Sequence, residues 1–278
     1  KLEDKNSLES ATFDEKKLQD TMQKLCTILS HDATKLTLAC KPPRKPQDAI
    51  KMVDEMNNTL YRIIGFYYDI PVTNIQTYRK AYKNMVDQLI RGAISLLSSF
   101  MDEKRQREPL PFMLSTAALW EVCKASCQLP IDNKQAILIE WKALLDQLKD
   151  VKNETEDMID ENIQDNKEEN DDYDNDDFET SVDGIIGKKC GLLVSLTQLL
   201  FQKIQKRCSL SDTLLDQGQL ITEEVDIMVS KAYDLERDEM ITVMKTFASK
   251  VSRLIEIAAL NSDRENESWF KVKIYIFV

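Results

Sequence analysis

From Glu154 to Glu179 the chain reads ETEDMIDENIQDNKEENDDYDNDDFE, fourteen acidic side chains against the single lysine Lys167. That run sums to −13 and the whole 278-residue chain to −11, so the remainder carries +2. A stretch so self-repelling, with so few apolar side chains, buries too little surface to offset the entropy of ordering it. Residues 153–181 are therefore expected to be a disordered acidic linker between two nearly neutral domains. Two readings of the linker are compatible. It spaces the domains, and it offers a docking strip for a basic partner or a lid over the +2 remainder. In the docking reading Asp171, Asp172, Asp174, Asp176 and Asp177 are the candidate partner-binding residues.

Both flanks read as helical. Only six glycines occur, and all seven prolines lie at or before Pro130, so hairpin turns are scarce. Residues 1–12 are expected to be disordered, and residues 13–152 a five-helix bundle. The first helix opens near Phe13 with Thr12 and Glu15 at capping-box spacing, then runs through Leu18, Met22, Leu25, Leu29, Leu36 and Cys40. Pro42, Pro43 and Pro46 stop it. The second spans Gln47 to Tyr68 with Ile50, Val53, Leu60, Ile63 and Ile64 inward. Thr73 and Gln76 form a further capping pair for a third, whose face is Tyr78, Tyr82, Met85, Val86, Leu89, Ala93, Leu96 and Phe100. A fourth covers Phe112 to Cys127. Asp132 caps a fifth through Leu144, Leu145, Leu148 and Val151.

Residues 182–269 read as a smaller helical bundle. One helix runs from Val182 to Cys208 through Leu192, Leu193, Leu196, Leu199, Leu200 and Ile204. A short one follows from Thr222, read as its cap, to Tyr233, and a strong stripe runs from Met240 to Ala258. The ending KVKIYIFV alternates like a strand but has no partner strand. Residues 270–278 are accordingly read as foreign to the native fold, with the second bundle lacking its last helix. Lys1 stands where a complete chain would show Met.

Little in the chain supports catalysis. The single histidine, His31, has Asp32 beside it in sequence, but helix neighbours point apart, so a surface histidine is the plain reading. In GIIGKKCG the position that a phosphate-wrapping loop reserves for glycine is Val182, and Lys189 and Cys190 follow the Gly187–Lys188 pair. Cys123 and Cys127 lie one helical turn apart on a shared face, with no second pair to complete a zinc site. Asp172, Asp174, Asp176 and Asp183 fall on calcium-loop positions, but Asp177 replaces the obligatory glycine. No cofactor, metal or catalytic residue is assigned. The Pro43–Pro46 spacing, flanked by basic residues, suits an SH3-type groove, yet a rigid helix connection explains it as well. Lys203, Lys206 and Arg207 suit a helix C-terminus and are too few for direct nucleic-acid binding. No apolar stretch is long enough for a membrane span, no signal peptide precedes the six cysteines, and the thiols read as free in a reducing compartment.

Several stretches together resemble the cyclin-D1-binding protein 1 family: LSHDATKLTLAC, RIIGFYYDIPVTNIQTYRKAYKNMVDQLIRGAISLL, LWEVCKASCQLPIDNKQAIL and the acidic insert. The part from Gly184 to Leu260 is similar but weaker. The most specific marker is Leu129 to Lys134 with Trp120 upstream. The resemblance implies a non-enzymatic regulator of cell-cycle progression and transcription. Its partners would be D-type cyclins and helix-loop-helix factors, in cytoplasm and nucleus, by helix-in-groove contact. An adhesion-type or cytoskeletal adaptor is the alternative, because five-helix bundles also build such rods. Oligomeric state is left open.

Overall fold

The computed structural model describes residues 14–41, 45–72, 75–101, 110–168, 182–232 and 237–273, and the fold is all-α. Its helices, among the described residues, are α1 (Glu15–Cys40), α2 (Pro46–Tyr68), α3 (Gln76–Met101), α4 (Leu110–Ala125), α5 (Asn133–Glu168), α6 (Val182–Arg207), α7 (Asp212–Lys231), α8 (Arg237–Leu260) and α9 (Arg264–Lys273). A 3₁₀ turn, Ser126–Gln128, follows α4. The chain divides into two units at Ala136–Ile137.

In the first unit α1 packs against α2 and α4, and α3 against α4 and α2. The α3 stripe is as its spacing predicts: Tyr78, Tyr82, Met85, Val86, Leu89, Ala93 and Leu96 are all buried. The Tyr78 and Tyr82 rings lie 4.5 Å apart, and burial of such a side chain stabilises by about 1.5–3 kcal/mol. On α2 the inward face is Met56, Thr59, Ile63 and Tyr67, with Val53, Leu60 and Ile64 partly covered. Ile50, expected inward, is exposed, because α2 begins packing only from Met52 and Val53 onward.

Caps decide where these helices begin. Asp14, not Thr12, starts α1: its carboxylate accepts the Lys17 amide at 3.1 Å. An acid immediately before the first turn satisfies the free amides more directly than a threonine two residues earlier, and Thr12 itself lies outside the described residues. Thr73 also lies outside them. Pro46 opens α2 at the position where a missing N–H costs nothing. Asp132 caps α5 as expected, accepting the Gln135 amide at 2.7 Å. Gln135 in turn accepts the Ile131 amide at 2.6 Å.

The second unit corrects the expected boundary. α5 was assigned to the first bundle by residues 13–152, but Ile137, Trp141, Leu144 and Leu148 lie in one core with Cys190, Val194, Phe201 and Ile204 of α6 and the buried faces of α7 and α8. The cover a helix finds, not the charge run behind it, decides which core it joins. Trp141 is fully buried, stacks on Phe201 with ring centres 4.8 Å apart, and donates its Nε1–H to the Phe201 carbonyl at 3.3 Å. α7 makes room for it at Gly218: a Cβ there would lie 2.9 Å from Trp141 Cζ3 and 3.2 Å from Leu144 Cδ1.

α5 also continues past Val151 to Glu168, so residues 153–168 of the expected linker are helical. Thr155 is buried and donates to the Val151 carbonyl at 2.7 Å, and Lys152 pairs with Glu156 at 3.4 Å. Glutamates are good helix formers, and the helix propagates from an already packed stretch. Residues 169–181 lie outside the described ones.

Three further expectations change in this unit. Leu192 and Leu199 of α6 face outward, since the buried face is Cys190, Val194, Thr197, Phe201 and Ile204. α7 starts ten residues before the expected cap Thr222: Ser211 is the N-cap, accepting the Leu214 amide at 3.3 Å. Thr222 is buried in mid-helix and donates to the Gly218 carbonyl at 3.1 Å. The last helix is present rather than lacking: α9 carries a fully buried Phe270, and Phe270–Lys273 of the supposed foreign tail belong to it. Residues 274–278 lie outside the described ones. Arg207 ties α6 to α9, its guanidinium 4.7 Å above the Trp269 ring and donating to Asn266 at 2.9 Å.

Candidate interaction surface

The polar side chains that carry chemistry in other folds serve packing here. Asp32 is buried and accepts the Thr59 hydroxyl at 2.7 Å and Lys35 Nζ at 3.2 Å, while Lys35 reaches Glu55 at 3.3 Å. Those bonds to Asp32 and Glu55 raise the Lys35 pKa. They also fix the Asp32 carboxylate across the α1–α2 seam, whereas His31 on the next position is exposed. The two do not form an acid–base pair.

Burial pushes the thiol pKa of Cys26 and Cys190 up to about 11 and that of Cys123 to about 12, which keeps them protonated and unreactive at neutral pH. Cys123 and Cys127 do not share a face. α4 ends at Ala125, and the 3₁₀ turn carries Cys127 outward to solvent while Cys123 stays in the core. Among the described residues no group of three or more His, Cys, Asp or Glu side chains could hold a metal ion. Gly184, Gly187 and Lys188 lie inside α6, where a helical backbone cannot wrap a phosphate. Of the basic trio at the end of α6, Arg207 is engaged with Trp269 and Asn266. No helix among the described residues is long and apolar enough to cross a membrane. Pro43 and Arg44 lie outside the described residues, as do Asp171, Asp172, Asp174, Asp176 and Asp177, so the structure brings none of the acidic docking candidates together.

What sequence reasoning missed is the outer face of α4. This 16-residue helix has charges only at Glu121 and Lys124, both near its end. Its inner face places Thr116, Leu119 and Cys123 in the core of the first unit. Its outer face nonetheless leaves Met113 60%, Leu114 65% and Trp120 42% exposed, with Ala117 and Ala118 exposed between them. Met113, Ala117 and Trp120 recur at four- and three-residue steps and so form one stripe.

Two contacts fix this stripe against α1. The Thr37 and Thr116 hydroxyls are 2.8 Å apart, and Trp120 Nε1–H donates to the Ser30 carbonyl at 3.2 Å. Leu38, 66% exposed, follows Thr37 at the Met113 end of that seam. Single exposed apolar residues are ordinary, but several large ones on one helix face make a candidate interaction surface. The legible signal was composition. A helix apolar on nearly every side, in a unit this small, has a face that its own core does not use.

A family profile described as "Grap2 and cyclin-D-interacting, N-terminal" matches residues 21–161, which run from within α1 through most of α5. A cyclin-D1-binding protein 1 homolog from Xenopus laevis is 27% identical over 158 residues, 56% of this chain and 48% of its own length. The homolog from Danio rerio is 24% identical over 152 residues, 54% of this chain and 44% of its own. The chain thus spans about half the length of these relatives. With the cyclin-D1-binding protein 1 of Rattus norvegicus the similarity extends further, 23% identity over 278 residues, 88% of this chain and 78% of that one.

Proposed function

We propose that this chain, which belongs to the Grap2 and cyclin-D-interacting family, is a non-catalytic interaction protein that binds a D-type cyclin through the outer face of α4. The observation that supports this is the exposed Met113–Ala117–Trp120 stripe, with Leu114 exposed beside it, on a helix whose opposite face is core. An apolar stripe at helical spacing suits helix-in-groove contact, in which a few large side chains supply most of the affinity and surrounding contacts exclude water. The relatives are named for binding cyclin D1, which favours that partner class. Restraint of cell-cycle progression and of transcription, in cytoplasm and nucleus, follows from occupying such a partner, and a helix-loop-helix factor is a second ligand of the same kind of surface. Asp171, Asp172, Asp174, Asp176 and Asp177 act in this reading as an auxiliary strip that steers a basic partner, raising the on-rate more than the affinity.

The test is a pull-down of a D-type cyclin, and in parallel of a helix-loop-helix factor, by the full chain and two variants. Met113→Glu/Leu114→Glu places charge on the stripe without touching the core. Replacing the five aspartates by asparagine removes the strip. Loss of capture by the first variant, with the helical circular dichroism intact, supports the α4 face. Capture that weakens in the second variant, and fades with salt in the parent, supports the strip. Capture indifferent to the stripe variant would sink the α4 reading. Failure of the parent chain to capture either partner would move the assignment to the adaptor alternative.

A further inference from the structure

A second surface of the first unit has the opposite character. Where α2 ends and α3 begins, Tyr67, Val72, Gln76, Arg79, Lys80 and Lys83 line an open cleft of about 330 Å³. Three of those six side chains are cations and none is an acid. Arg79 is buried, its guanidinium lying 4.7 Å over the Tyr67 ring and donating to the Ile70 carbonyl. It is therefore held in place before any ligand arrives, so little side-chain entropy is lost on binding. Lys80 is exposed and Lys83 half-buried, and among the described residues neither has an ion-pair partner. The nearest carboxylates in sequence, Asp69 and Asp87, lie outside the cleft lining and bound the basic stretch on either side.

Three cationic side chains line this one small cleft, and no acidic side chain lines it. They match a dianion with three acceptor oxygens, the charge and geometry of a phosphate monoester. The cleft is formed by six residues on one corner and is open, so it does not enclose a free metabolite as a small-molecule pocket does. It fits a group presented from outside on a larger body. Because Asp69 and Asp87 end the basic stretch, a nucleic acid backbone would meet only a short positive patch, too little for phosphate-by-phosphate neutralisation.

We infer that the α2–α3 corner is a docking site for a phosphorylated side chain of a partner protein. The site is separate from the α4 face and does not depend on the cyclin reading. It makes association with such a partner conditional on the partner's phosphorylation.

The experiment is calorimetric titration of the full chain with a short phosphoserine peptide of otherwise neutral residues, its unphosphorylated twin, and the same peptide carrying glutamate. The expected result is saturable binding of the phosphopeptide, at least about tenfold tighter than the glutamate form, and none by the twin. Lys80→Glu/Lys83→Glu should lose about tenfold or more with circular dichroism unchanged, since neither lysine is in the core. Arg79 is left in place because its guanidinium also holds the corner. Parallel arms use vesicles containing a phosphorylated inositol lipid and a single-stranded RNA. Equal affinity for all three peptides, retention of phosphopeptide binding by the double variant, or Lys80/Lys83-dependent binding of vesicles or RNA without the phosphopeptide, would each overturn the proposal.

Discussion

Gly65 and Gly218 both lie inside helices, and alanine at the two positions should shift stability in opposite directions. In each case alanine narrows the unfolded ensemble and favours the helix by about 0.5–1 kcal/mol. At Gly65 nothing lies within 4 Å of an added Cβ, so that gain is the whole effect. At Gly218 the same carbon would lie 2.9 Å from Trp141 Cζ3, 3.2 Å from Leu144 Cδ1 and 3.4 Å from Phe201 Cε1. Carbons prefer roughly 3.5–4.0 Å, so the ring must retreat by about 0.6 Å or more. It has no room to do so, being fully buried, stacked on Phe201 and tied to the Phe201 carbonyl. Overpacking of this kind costs about 1–3 kcal/mol, and the rigidity of the indole puts Gly218 at the upper end. The net expectation is about 2 kcal/mol of destabilisation for Gly218→Ala against about 0.5–1 of stabilisation for Gly65→Ala, a separation of about 3 kcal/mol. Equilibrium urea unfolding, followed by circular dichroism and by tryptophan fluorescence, reads both. Two alanines that move the midpoint in the same direction would refute the claim that Trp141 is wedged against α7.

Several other perturbations have defined outcomes. The folded state holds the Cys26 and Cys190 protons to about pH 11 and that of Cys123 to about 12. An unfolded thiol releases its proton from about pH 8.5. The unfolded state therefore binds fewer protons above that pH, and stability, complete below it, falls as pH rises toward 11 by about 2–3 kcal/mol per thiol. Cys190→Ala should flatten that slope in alkaline denaturation curves. In native alkylation Cys127 should react first, and burst labelling of Cys123 would contradict its burial. Partial desolvation, then Glu154 and Glu223, raise the Asp226 pKa, so its ionisation costs stability as pH rises through the acid range. Asp226→Asn should stabilise the chain at neutral pH, by roughly 0.5 kcal/mol for relief of like-charge crowding, and lose that advantage in acid. Arg207→Ala should loosen α9 by about 1 kcal/mol, visible as faster amide exchange there and nowhere in the first unit.

Much of this fold was legible from helical spacing and caps. The α3 stripe and the Asp132 cap follow from local rules, because each concerns one helix and its own ends. The errors concern cover, which spacing does not report. Leu192 and Leu199 carry the same hydrophobic signal as Leu200, and only the helices that come to lie against α6 decide which of them is inside. The α5 assignment failed for the same reason: its stripe predicts a packed face but not whose core receives it. Thr222 was read as a cap because it is a capping residue type, although Ser211 upstream was the residue with an amide to satisfy. The α4 face was overlooked because an all-apolar helix looks like core, and exposure appears only once the neighbours are placed. The α2–α3 cleft was beyond sequence reasoning altogether, since Tyr67 and Arg79 meet only through the corner that joins their helices.

The membership of α5 in the second core has a consequence for synthesis of the chain on the ribosome. Trp141, Leu144 and Leu148 emerge well before Phe201, Leu214 and Val225, which cover them. At about 5–20 residues per second that leaves an apolar helix face uncovered for several seconds while the rest of its core is still being made. The stretch that leaves the ribosome next is the most acidic of the whole chain. A dense charge directly behind an uncovered apolar helix is the arrangement that keeps nascent chains from associating with one another. The acidic run is thus placed to act before the molecule is finished.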